Sequence, residues 1–503
     1  KLKGSFKMNK MMNMPEVKLG IAAVSRSCFP KSLSEERCGE VCKKCAERGI
    51  EIFRCPTVSE NENDMVKAVS ELKAAGVNAL VVYLGNFGPE TVETLLAKKF
   101  GLPVMFAAAA EESGKDLIDG RGDAFCGMLN ASYNLGLRGV KAYIPEYPVG
   151  TPDKVAEMIA EFIPVARAVL GLSKLKVISF GPRPQDFLAC NAPIARLYDI
   201  GAEIEENSEL DLFAAFNAHA GDARIEKVAA EMAAELGQGN KMPGILPKLA
   251  QYEITLLDWA EEHKGEREYV VFANKCWPSF QTQFGFVPCY VNSRLTGRGI
   301  PVSCEVDIWG AVSEYIGQCV SDDCVTLLDI NNTVPEDIYN EDIKGKFDYS
   351  LTDTFMGFHC GNTASGKLAS CEMKFQRIMR RDLEPDREPD ITRGTLEGDI
   401  AASDITLFRL QSTADAELAA YTAQGEVLPV ASRSFGAIGV FAVKEMGRFY
   451  RHVLIEGRFP HHGAVVFSHK GKELYNVLRY LGVKKIGFNQ PAGMLYPTEN
   501  PFA

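Results

Sequence analysis

The sequence predicts two Rossmann-like α/β domains with parallel sheets, followed by a mostly antiparallel, β-barrel-like C-terminal domain. Short apolar runs alternate with amphipathic segments from Val17 onwards, and a second series of the same kind begins near Ser173. This alternation is typical of parallel strands joined by helical crossovers. After Asn331 the apolar runs are shorter and few long amphipathic segments separate them, which is typical of an antiparallel sheet. A chain of 503 residues is also too long for one hydrophobic core, so several domains are expected.

The first α/β domain is expected to span residues 17–172, after a disordered lead-in or expression remnant at residues 1–16. Strands are predicted at 18–25, 51–54, 79–84 and 103–109, and helices at 34–48, 63–75, 89–98 and 152–170. The loop Gly85–Gly88 follows a strand at its C-terminal end, which is the edge where open α/β sheets bind ligands. This loop is therefore a candidate substrate contact, although no dinucleotide-binding glycine fingerprint accompanies it.

The second α/β domain is expected to span residues 173–350, and the C-terminal domain residues 351–503. Strands are predicted at 176–180 and 269–274, an extended segment at 203–213, helices at 186–198, 222–236 and 246–263, and C-terminal strands at 405–410, 427–430, 438–443 and 464–467. Arg183 lies in the loop after the strand at 176–180, at the C-terminal end of that strand. Its guanidinium is expected either to orient sugar hydroxyls or to cap the loop.

Composition and charge exclude several classes of function. Hydrophobic residues make up 46% and charged residues 24% of the chain, and no window approaches the roughly 18 to 20 uninterrupted apolar residues of a membrane helix. A net charge of −11 and a pI near 5.4 argue against a nucleic-acid partner, which requires a basic face. The fourteen cysteines are spread along the chain and are expected to be reduced thiols. Residues 1–14 lack the apolar core of a secretory signal, so we expect a cytoplasmic protein.

Three of the seven histidines lie in one short stretch, Arg458–His469, where a β-like apolar run begins. A His-His pair before a strand is more often a surface or packing feature than a metal ligand, but two upstream carboxylates change the interpretation. Glu305 lies inside the apolar run 300–309, and Asp329 lies near the end of the apolar run 325–330. Burying a carboxylate is costly unless it is paired or coordinates a cation. We therefore expect Glu305, Asp329 and His462 to bind one divalent cation.

Glu305, Asp329, His359 and His462 form an oxygen-rich set that favours manganese or magnesium over structural zinc, which prefers closed thiolate and imidazole sites. A cation chelated by a sugar carbonyl and the neighbouring hydroxyl polarises the carbonyl and acidifies the proton on the adjacent carbon. This is the chemistry of aldose–ketose conversion. In contrast, the G-x-x-x-x-G-K sequence at 361–367 is followed by a leucine where a phosphate-binding loop requires Ser or Thr, so no nucleotide is expected there.

Four segments resemble the active-site segments of the L-fucose isomerase and L-arabinose isomerase family. They are VSCEVDIWG at 302–310, LLDINN at 327–332, GFHCGN at 357–362 and PHHGA at 460–464. The resemblance spans nearly the whole chain from Val17. It implies that Glu305 and Asp329 are the catalytic carboxylates, that both bind the metal together with His462, and that His359 is a further active-site residue.

The resemblance also implies Mn²⁺ as the cofactor, with Co²⁺ or Mg²⁺ as substitutes, and a trimer-based homo-oligomer, such as a hexamer, with active sites near subunit boundaries. Asp329 matches the fucose isomerases, whereas His359 and His461 match the arabinose branch. The small-molecule substrate therefore stays open between fucose, arabinose and another hexose. For a sugar with an anionic group at carbon 6, Arg183 or Arg26 would be candidate partners.

The sequence thus predicts a ketol isomerase that interconverts an aldose and its 2-ketose through a metal-stabilised cis-enediol. Glu305 is expected to be the principal base and Asp329 its partner, with the two roles exchangeable, while His359, His461 and Arg183 bind the sugar. One alternative is a non-catalytic sugar-binding or sensing protein, because pairs of Rossmann-like domains also build sugar receptors. A receptor has no need of two buried carboxylates beside a histidine. The other alternative, a metal-dependent sugar epimerase or hydrolase, would use the same ligands.

Overall fold

The computed structural model describes residues 11–375, 377, 384, 386 and 393–502. These residues form two compact units. The first comprises residues 15–170 with residues 479–481, and the second comprises residues 11–14, 171–478 and 482–502. Most of the lead-in predicted at residues 1–16 lies outside the described part of the chain.

The first unit contains a five-stranded parallel sheet in the order β2-β1-β3-β4-β5. Its strands are β1 Leu19–Val24, β2 Ile52–Arg54, β3 Ala79–Leu84, β4 Val104–Ala109 and β5 Val149–Gly150, and its helices are α1 Lys31–Glu47, α2 Glu62–Ala74, α3 Glu90–Phe100, α4 Ala124–Arg138 and α5 Pro152–Leu172, the last of which extends two residues beyond the unit. Every residue of β1, β3 and β4 is buried, as expected for parallel strands covered on both faces. The predicted alternation is confirmed, but α4 is additional to the predicted helices.

The loop Gly85–Gly88 joins the carboxyl ends of two neighbouring strands. The buried Asn86 side chain donates to Ser25 Oγ at 2.9 Å and accepts from the Arg26 amide at 3.0 Å. Arg26 lies just after β1, where its guanidinium is 4.7 Å from the centre of the Phe87 ring and 3.7 Å from the Glu90 carboxylate. The loop therefore fixes the edge of the sheet where ligands are expected, and its role as a substrate contact stays a prediction.

The second unit begins with a four-stranded parallel sheet in the order β7-β6-β8-β9. Its strands are β6 Leu175–Phe180, β7 Glu203–Asn207, β8 Tyr269–Ala273 and β9 Val302–Ser303, and the accompanying helices are α6 Arg196–Asp199, α7 Glu209–Ala218, α8 Ile225–Leu236, α9 Leu246–His263, α10 Cys289–Gly297 and α11 Ile308–Ser321. The second Rossmann-like sheet is confirmed. The extended segment predicted at 203–213 is wrong beyond residue 207, because Ser208 and Asp211 form a capping box that starts α7.

The same unit contains a nine-stranded, mostly antiparallel sheet in the order β12-β13-β16-β11-β10-β17-β14-β15-β18. Its strands are β10 Val325–Thr333, β11 Thr354–His359, β12 Glu372–Phe375, β13 Arg393–Asp399, β14 Ser403–Ser412, β15 Leu418–Val427, β16 Ala437–Ala442, β17 His462–Val466 and β18 Lys485–Phe488, and the remaining helices are α12 Glu336–Ile338, α13 Met446–Phe449 and α14 Gly471–Leu481. β15 also pairs with β16 at two positions. The sheet thus curls without forming a full barrel, and the mostly antiparallel character is confirmed.

Two further sequence predictions concern the helices and the thiols. All fourteen cysteines are free thiols, as expected for a chain that does not use a disulfide framework. Among the described residues, no helix has the length and apolar character needed to cross a membrane.

Candidate active site

Three adjacent strands of the large sheet bring the predicted site residues together. β10 carries Asp329 and lies between β11, which ends at His359, and β17, which begins at His462. The antiparallel register places Asp329 directly opposite His462. Directly opposed residues in such a pair have Cβ atoms about 4.5–5.5 Å apart. The sheet therefore holds a carboxylate and an imidazole side by side from segments more than a hundred residues apart.

Glu305 reaches the same point from a turn with unusual backbone angles. The turn follows β9, and both Glu305 and Val306 have left-handed conformations, with φ values of 58° and 53°. This conformation is unfavourable for a β-branched residue such as Val306 and costs on the order of 1–3 kcal/mol. The Val306 amide is held by a 3.0 Å hydrogen bond to the Asn274 carbonyl, just after β8. The packed sheet thus stabilises a turn that directs Glu305 towards the histidines.

The carboxylates and the histidines converge on a small volume. Glu305 Oε2 and Asp329 Oδ1 each lie 3.4 Å from His462 Nε2, without hydrogen-bond geometry. His461 Nε2 lies 3.5 Å from Glu305 Oε2 and 3.8 Å from Asp329 Oδ1. Within the described residues, Glu305 Oε2, Asp329 Oδ1 and His462 Nε2 are buried atoms without a hydrogen-bond partner. Buried polar atoms are nearly always satisfied, so three such atoms around one point fit a divalent cation.

The ring of His462 is fixed from its other side. Its Nδ1 donates to Asp307 Oδ2 at 2.8 Å, and this hydrogen bond leaves Nε2 to face Glu305 and Asp329. Arg409 in turn donates to both Asp307 oxygens, at 2.8 and 3.0 Å, and all three side chains are completely buried. A carboxylate that orients the distal nitrogen of a histidine is the usual support of a metal-ligating imidazole. Arg409 and Asp307 therefore hold the His462 ring in an orientation that fits a metal ligand at Nε2.

In the hydrogen-bonded series Arg409–Asp307–His462, Asp307 is ionised and His462 is protonated. Burial disfavours the ionised form of Asp307, but the Arg409 guanidinium and His462 outweigh it and hold the pKa of Asp307 well below its usual range. Burial also disfavours protonation of His462, yet its hydrogen bond to Asp307 and the nearby Asp329 carboxylate raise the pKa of His462 well above its usual value. In the absence of a cation the imidazole thus holds a proton, and a metal ion would replace that proton at Nε2.

His359 is held in a different protonation state. Its Nδ1 accepts a 2.8 Å hydrogen bond from the Cys360 amide, so Nδ1 carries no proton. Burial lowers the pKa of His359, and the neutral ring must therefore carry its proton on Nε2. Nε2 is buried and has no hydrogen-bond partner among the described residues, and a ring nitrogen of His359 lies within 4.8 Å of a ligand atom of Asp329 and of His462. His359 is thus arranged as a hydrogen-bond donor towards a bound molecule.

Glu305 is ionised at neutral pH. Burial favours its neutral form, but the nearby imidazoles of His461 and then His462 outweigh this effect and lower the pKa of Glu305 to about 2. His461 is about one third exposed, and its ring meets the edge of Phe187 at a centroid distance of 6.0 Å. The most exposed member of the cluster therefore lies on the side where Phe187 contributes an apolar surface.

Arg183 lies on a loop that borders the two histidines. Its Nε donates to the Cys190 carbonyl at 3.3 Å, and the Cys190 thiol lies 3.6 Å from His462 Nδ1. Burial raises the pKa of the Cys190 thiol, so this sulfur is a poor metal ligand. The helix predicted at 186–198 is wrong, because Pro193 interrupts it and only a turn at Leu188–Cys190 and the short α6 form.

Asp307 and Arg409 were not predicted from the sequence. Asp307 lies two residues after Glu305 in the same apolar run, and Arg409 lies within the apolar run of β14. A charged residue inside an apolar strand is the same signal that identified Glu305 and Asp329. Applied to cations as well as carboxylates, this rule would have identified Arg409.

Comparison with known proteins places both ends of the chain in one family. Residues 20–173 match the model of the fucose/sulfoquinovose isomerase N-terminal domain, and residues 357–488 match that of the L-fucose isomerase C-terminal domain. A sulfoquinovose isomerase of Alkalicoccus urumqiensis is 25% identical over 338 residues, which cover 66% of this chain and 69% of that protein.

Two other relatives align over shorter stretches. A sulfoquinovose isomerase of Priestia aryabhattai is 29% identical over 173 residues, 33% of this chain and 37% of that protein. One of Clostridium sp. (strain MSTE9) is 28% identical over 182 residues, 34% of this chain and 38% of that protein. Because the N-terminal and C-terminal matches concern domains of the same enzymes, this chain belongs to the fucose isomerase-like family of aldose–ketose isomerases.

Proposed function

We propose that the chain interconverts an aldose and its 2-ketose by proton transfer through a cis-enediol, with a divalent cation bound at Glu305, Asp329 and His462. The observation that carries this proposal is the convergence of three buried, unpartnered ligand atoms, one from each of these residues. Two carboxylates and one imidazole form a hard, oxygen-rich ligand set. This composition favours Mn²⁺, with Co²⁺ or Mg²⁺ as substitutes.

The bound cation would supply positive charge beside the carbonyl and the adjacent hydroxyl of the sugar, which acidifies the proton on the neighbouring carbon. Glu305 removes this proton from carbon 2 of the aldose, and the electron pair forms the carbon–carbon double bond of the enediol. The same carboxyl group returns the proton to carbon 1, while Asp329 assists the exchange of protons between the two sugar oxygens. The two carboxylates are equally distant from His462 Nε2, so their roles can be exchanged. Positioned acid–base groups of this kind contribute about 10² to 10⁴ in rate.

Neutral groups around the carboxylates would orient the sugar. The His359 Nε2–H donor is buried and has no hydrogen-bond partner among the described residues, and it would bind a hydroxyl without competing for the cation. His461 lies at the exposed side and would contact a second hydroxyl. Both residues therefore bind substrate in this proposal, and His462 alone among the three histidines binds the metal.

For the substrate, we propose an aldose with an anionic group at carbon 6. The similar proteins named above are sulfoquinovose isomerases, and this name supports a sulfonate at carbon 6. Arg183 is the candidate partner, because its loop contacts His462 through Cys190 and His461 through Phe187. A guanidinium binds sulfonate oxygens as it binds carboxylate and phosphate oxygens. The family resemblance also supports a trimer-based homo-oligomer, such as a hexamer, as the active form.

The proposal is tested by incubating the chelated protein with sulfoquinovose, L-fucose and L-arabinose, before and after addition of Mn²⁺. We expect the 2-ketose of one sugar to form only after Mn²⁺, Co²⁺ or Mg²⁺ is added, and Ca²⁺ to restore little activity because it requires longer bonds and more ligands. In D₂O, deuterium should appear at the carbon that receives the proton. Full turnover in thoroughly metal-free protein would refute the cation's role, and repeated turnover without solvent label would refute the enediol route.

A further inference from the structure

Helix α4 of the first unit has an apolar face that the described residues leave exposed. Phe125, Leu129, Tyr133 and Leu137 follow one another at intervals of four residues, and they are 57%, 64%, 69% and 65% exposed. Within the helix, the only charged residue is Arg138 at its last position. A surface helix normally presents charged and polar residues to solvent, so we refer to these four residues as the α4 stripe and ask what covers them.

The opposite face of α4 is fixed on the sheet side of the unit. Gly127, Met128, Ala131 and Leu135 are buried. A Cβ atom added to Gly127 would lie 2.0 Å from the Phe87 carbonyl oxygen, so the helix packs directly on that loop and only glycine is accommodated there. The helix therefore cannot rotate to bury the α4 stripe against its own unit.

We propose that the α4 stripe binds the α4 stripe of a second copy of this chain. The exposed area of its four side chains is roughly 510 Å², taking about 200 Å² for a fully exposed large side chain. A standard interface buries about 800 Å² per partner, so the stripe alone supplies more than half of that area. Apolar patches of about this size on single chains are commonly interaction sites.

The surface of α4 has a ridge of large side chains beside small residues, a shape that is complementary to a second copy of the helix. Residues four apart form a ridge, and the ridges of two such helices interdigitate when the axes cross at about 50°. Beside the ridge lie the exposed small residues Ser132 and Gly136, and a Cβ added to Gly136 would meet no atom within 4 Å. Large side chains of one copy can thus enter the space beside the small residues of the other.

Charge at the two ends of α4 favours an antiparallel arrangement. The segment 111–123 before the helix contains five acidic and two basic residues. At the other end, Arg138 ends the helix and Lys98 Nζ lies 3.5 Å from the Arg138 carbonyl, with Lys99 next to it in sequence. A two-fold axis near Ala131 would place the acidic end of one copy beside the basic end of the other, whereas a parallel pair would oppose like charges.

The first test measures mass rather than activity, so its outcome does not depend on the proposed reaction. Light scattering and sedimentation of the full chain should give a multiple of 55.2 kDa that falls to half or less in Leu129→Asp and in Tyr133→Asp. Both substitutions lie on the exposed face, so circular dichroism and the melting temperature should stay unchanged. Val66→Asp is the matched control, because Val66 is 63% exposed on α2 of the same unit.

A second test reports orientation. In an antiparallel pair, position 136 of one copy faces Cys126 of the other, so Gly136→Cys in a Cys28→Ser background should give a disulfide-linked dimer when the two thiols are oxidised by diamide. A parallel pair would instead link Cys126 to Cys126 without the added thiol, which would overturn the arrangement. A wild-type chain that stays monomeric at every concentration would overturn the whole proposal. So would unchanged mass in both Asp variants, or an equal loss of mass in Val66→Asp.

Discussion

Two regions of the molecule bury carboxylates whose oxygens have no hydrogen-bond partner among the described residues, and they have opposite ionisation states. In the second unit, Glu305 faces two histidines, which lower the pKa of Glu305 to about 2 against the effect of burial. In the first unit, Glu93 on α3 is buried with both oxygens unpartnered, and burial, followed by the charge of Glu90, raises the pKa of Glu93 to about 8.

The difference shows what distinguishes a binding site from a buried acid. Beside Glu305, His462 Nε2 lies 3.4 Å from Glu305 Oε2 and 3.4 Å from Asp329 Oδ1. An ionised carboxylate there gains from the imidazoles and would gain more from a cation. After burial, the charge with the largest effect on the pKa of Glu93 is another carboxylate, that of Glu90. Glu93 therefore holds a proton at neutral pH and offers no ligand to a metal.

The largest predicted effect is a loss of turnover in Glu305→Gln that the same substitution at Glu93 does not cause. Glu305→Gln keeps the size and one oxygen of the side chain but removes the base, so turnover should fall by about 10² to 10⁴. Glu93→Gln should leave turnover unchanged. Turnover and manganese content are measured on both variants, and Glu305→Gln is expected to retain part of its metal. A fully active Glu305→Gln variant would remove this residue from the mechanism.

A smaller effect is expected from Asp307→Asn, which sharpens the role of the groups behind His462. The neutral amide cannot hold both Arg409 and the His462 ring as the carboxylate does. Loss of such an orienting partner typically costs 10- to 100-fold in metal affinity or activity. Calorimetric titration with Mn²⁺ should show the weaker binding, and excess Mn²⁺ should restore much of the turnover.

Measurements of stability separate the proposed role of Asp307, orienting the His462 ring, from a purely structural role. Breaking a buried ion pair by removing one partner costs about 3–5 kcal/mol, so Arg409→Met should lower the melting temperature because it leaves Asp307 uncompensated. If Asp307→Asn lowers stability but binds Mn²⁺ with unchanged affinity, Asp307 supports the fold and does not position His462.

His359 provides a third comparison, because it differs from His462 in which nitrogen carries the proton. His359→Leu removes the Nε2–H donor and should lower kcat/KM by about 10- to 100-fold, the value of one or two hydrogen bonds to a substrate. His359→Gln places an N–H group near the same position and should recover part of this loss. Manganese affinity should stay unchanged in both variants. If His359→Leu loses the metal, His359 is a ligand and the assigned tautomer is wrong.

Much of the fold could be predicted because buried strands appear in the sequence as continuous apolar runs. β1, β3 and β4 are continuous apolar runs since they are buried on both faces. Helix α4 was missed for the opposite reason: its exposed face is apolar like its buried face, so it shows little amphipathic contrast. The apolar residues on the exposed face of α4 therefore explain both why its helical periodicity could not be recognised and why the α4 stripe exists.

The candidate site was predictable only in part. Glu305 and Asp329 stand out as charges inside apolar runs, whereas the register that opposes Asp329 to His462 is a property of the folded sheet. Arg409 gave the same signal as the carboxylates. The proton positions on His359 and His462 depend on a backbone amide and on Asp307, and no sequence pattern contains that information.

The last predicted effect concerns stability at Glu93, leaves turnover untouched and follows from the raised pKa of Glu93. An exposed carboxyl in the unfolded chain titrates near 4.5, whereas Glu93 in the folded chain titrates near 8. Between these values the folded state holds a proton that the unfolded state has lost, so stability falls as the pH rises, by up to about 1.4 kcal/mol per pH unit. Below pH 4.5 both states are protonated and the contribution disappears.

Glu93→Gln removes this titration while keeping a neutral side chain of the same shape. The variant should therefore melt at a higher temperature than the wild type at pH 8, and the difference should shrink steadily as the pH is lowered to 5. At pH 8 the gain is expected to be about 2–5 kcal/mol, because the full pKa difference corresponds to roughly that free energy. Glu62→Gln, at an exposed position of α2, is the control and should show no such trend. If Glu93→Gln melts below the wild type at pH 8, the ionised Glu93 carboxylate has a partner in the protein, and the contrast with Glu305 is no longer one between a protonated and an ionised acid.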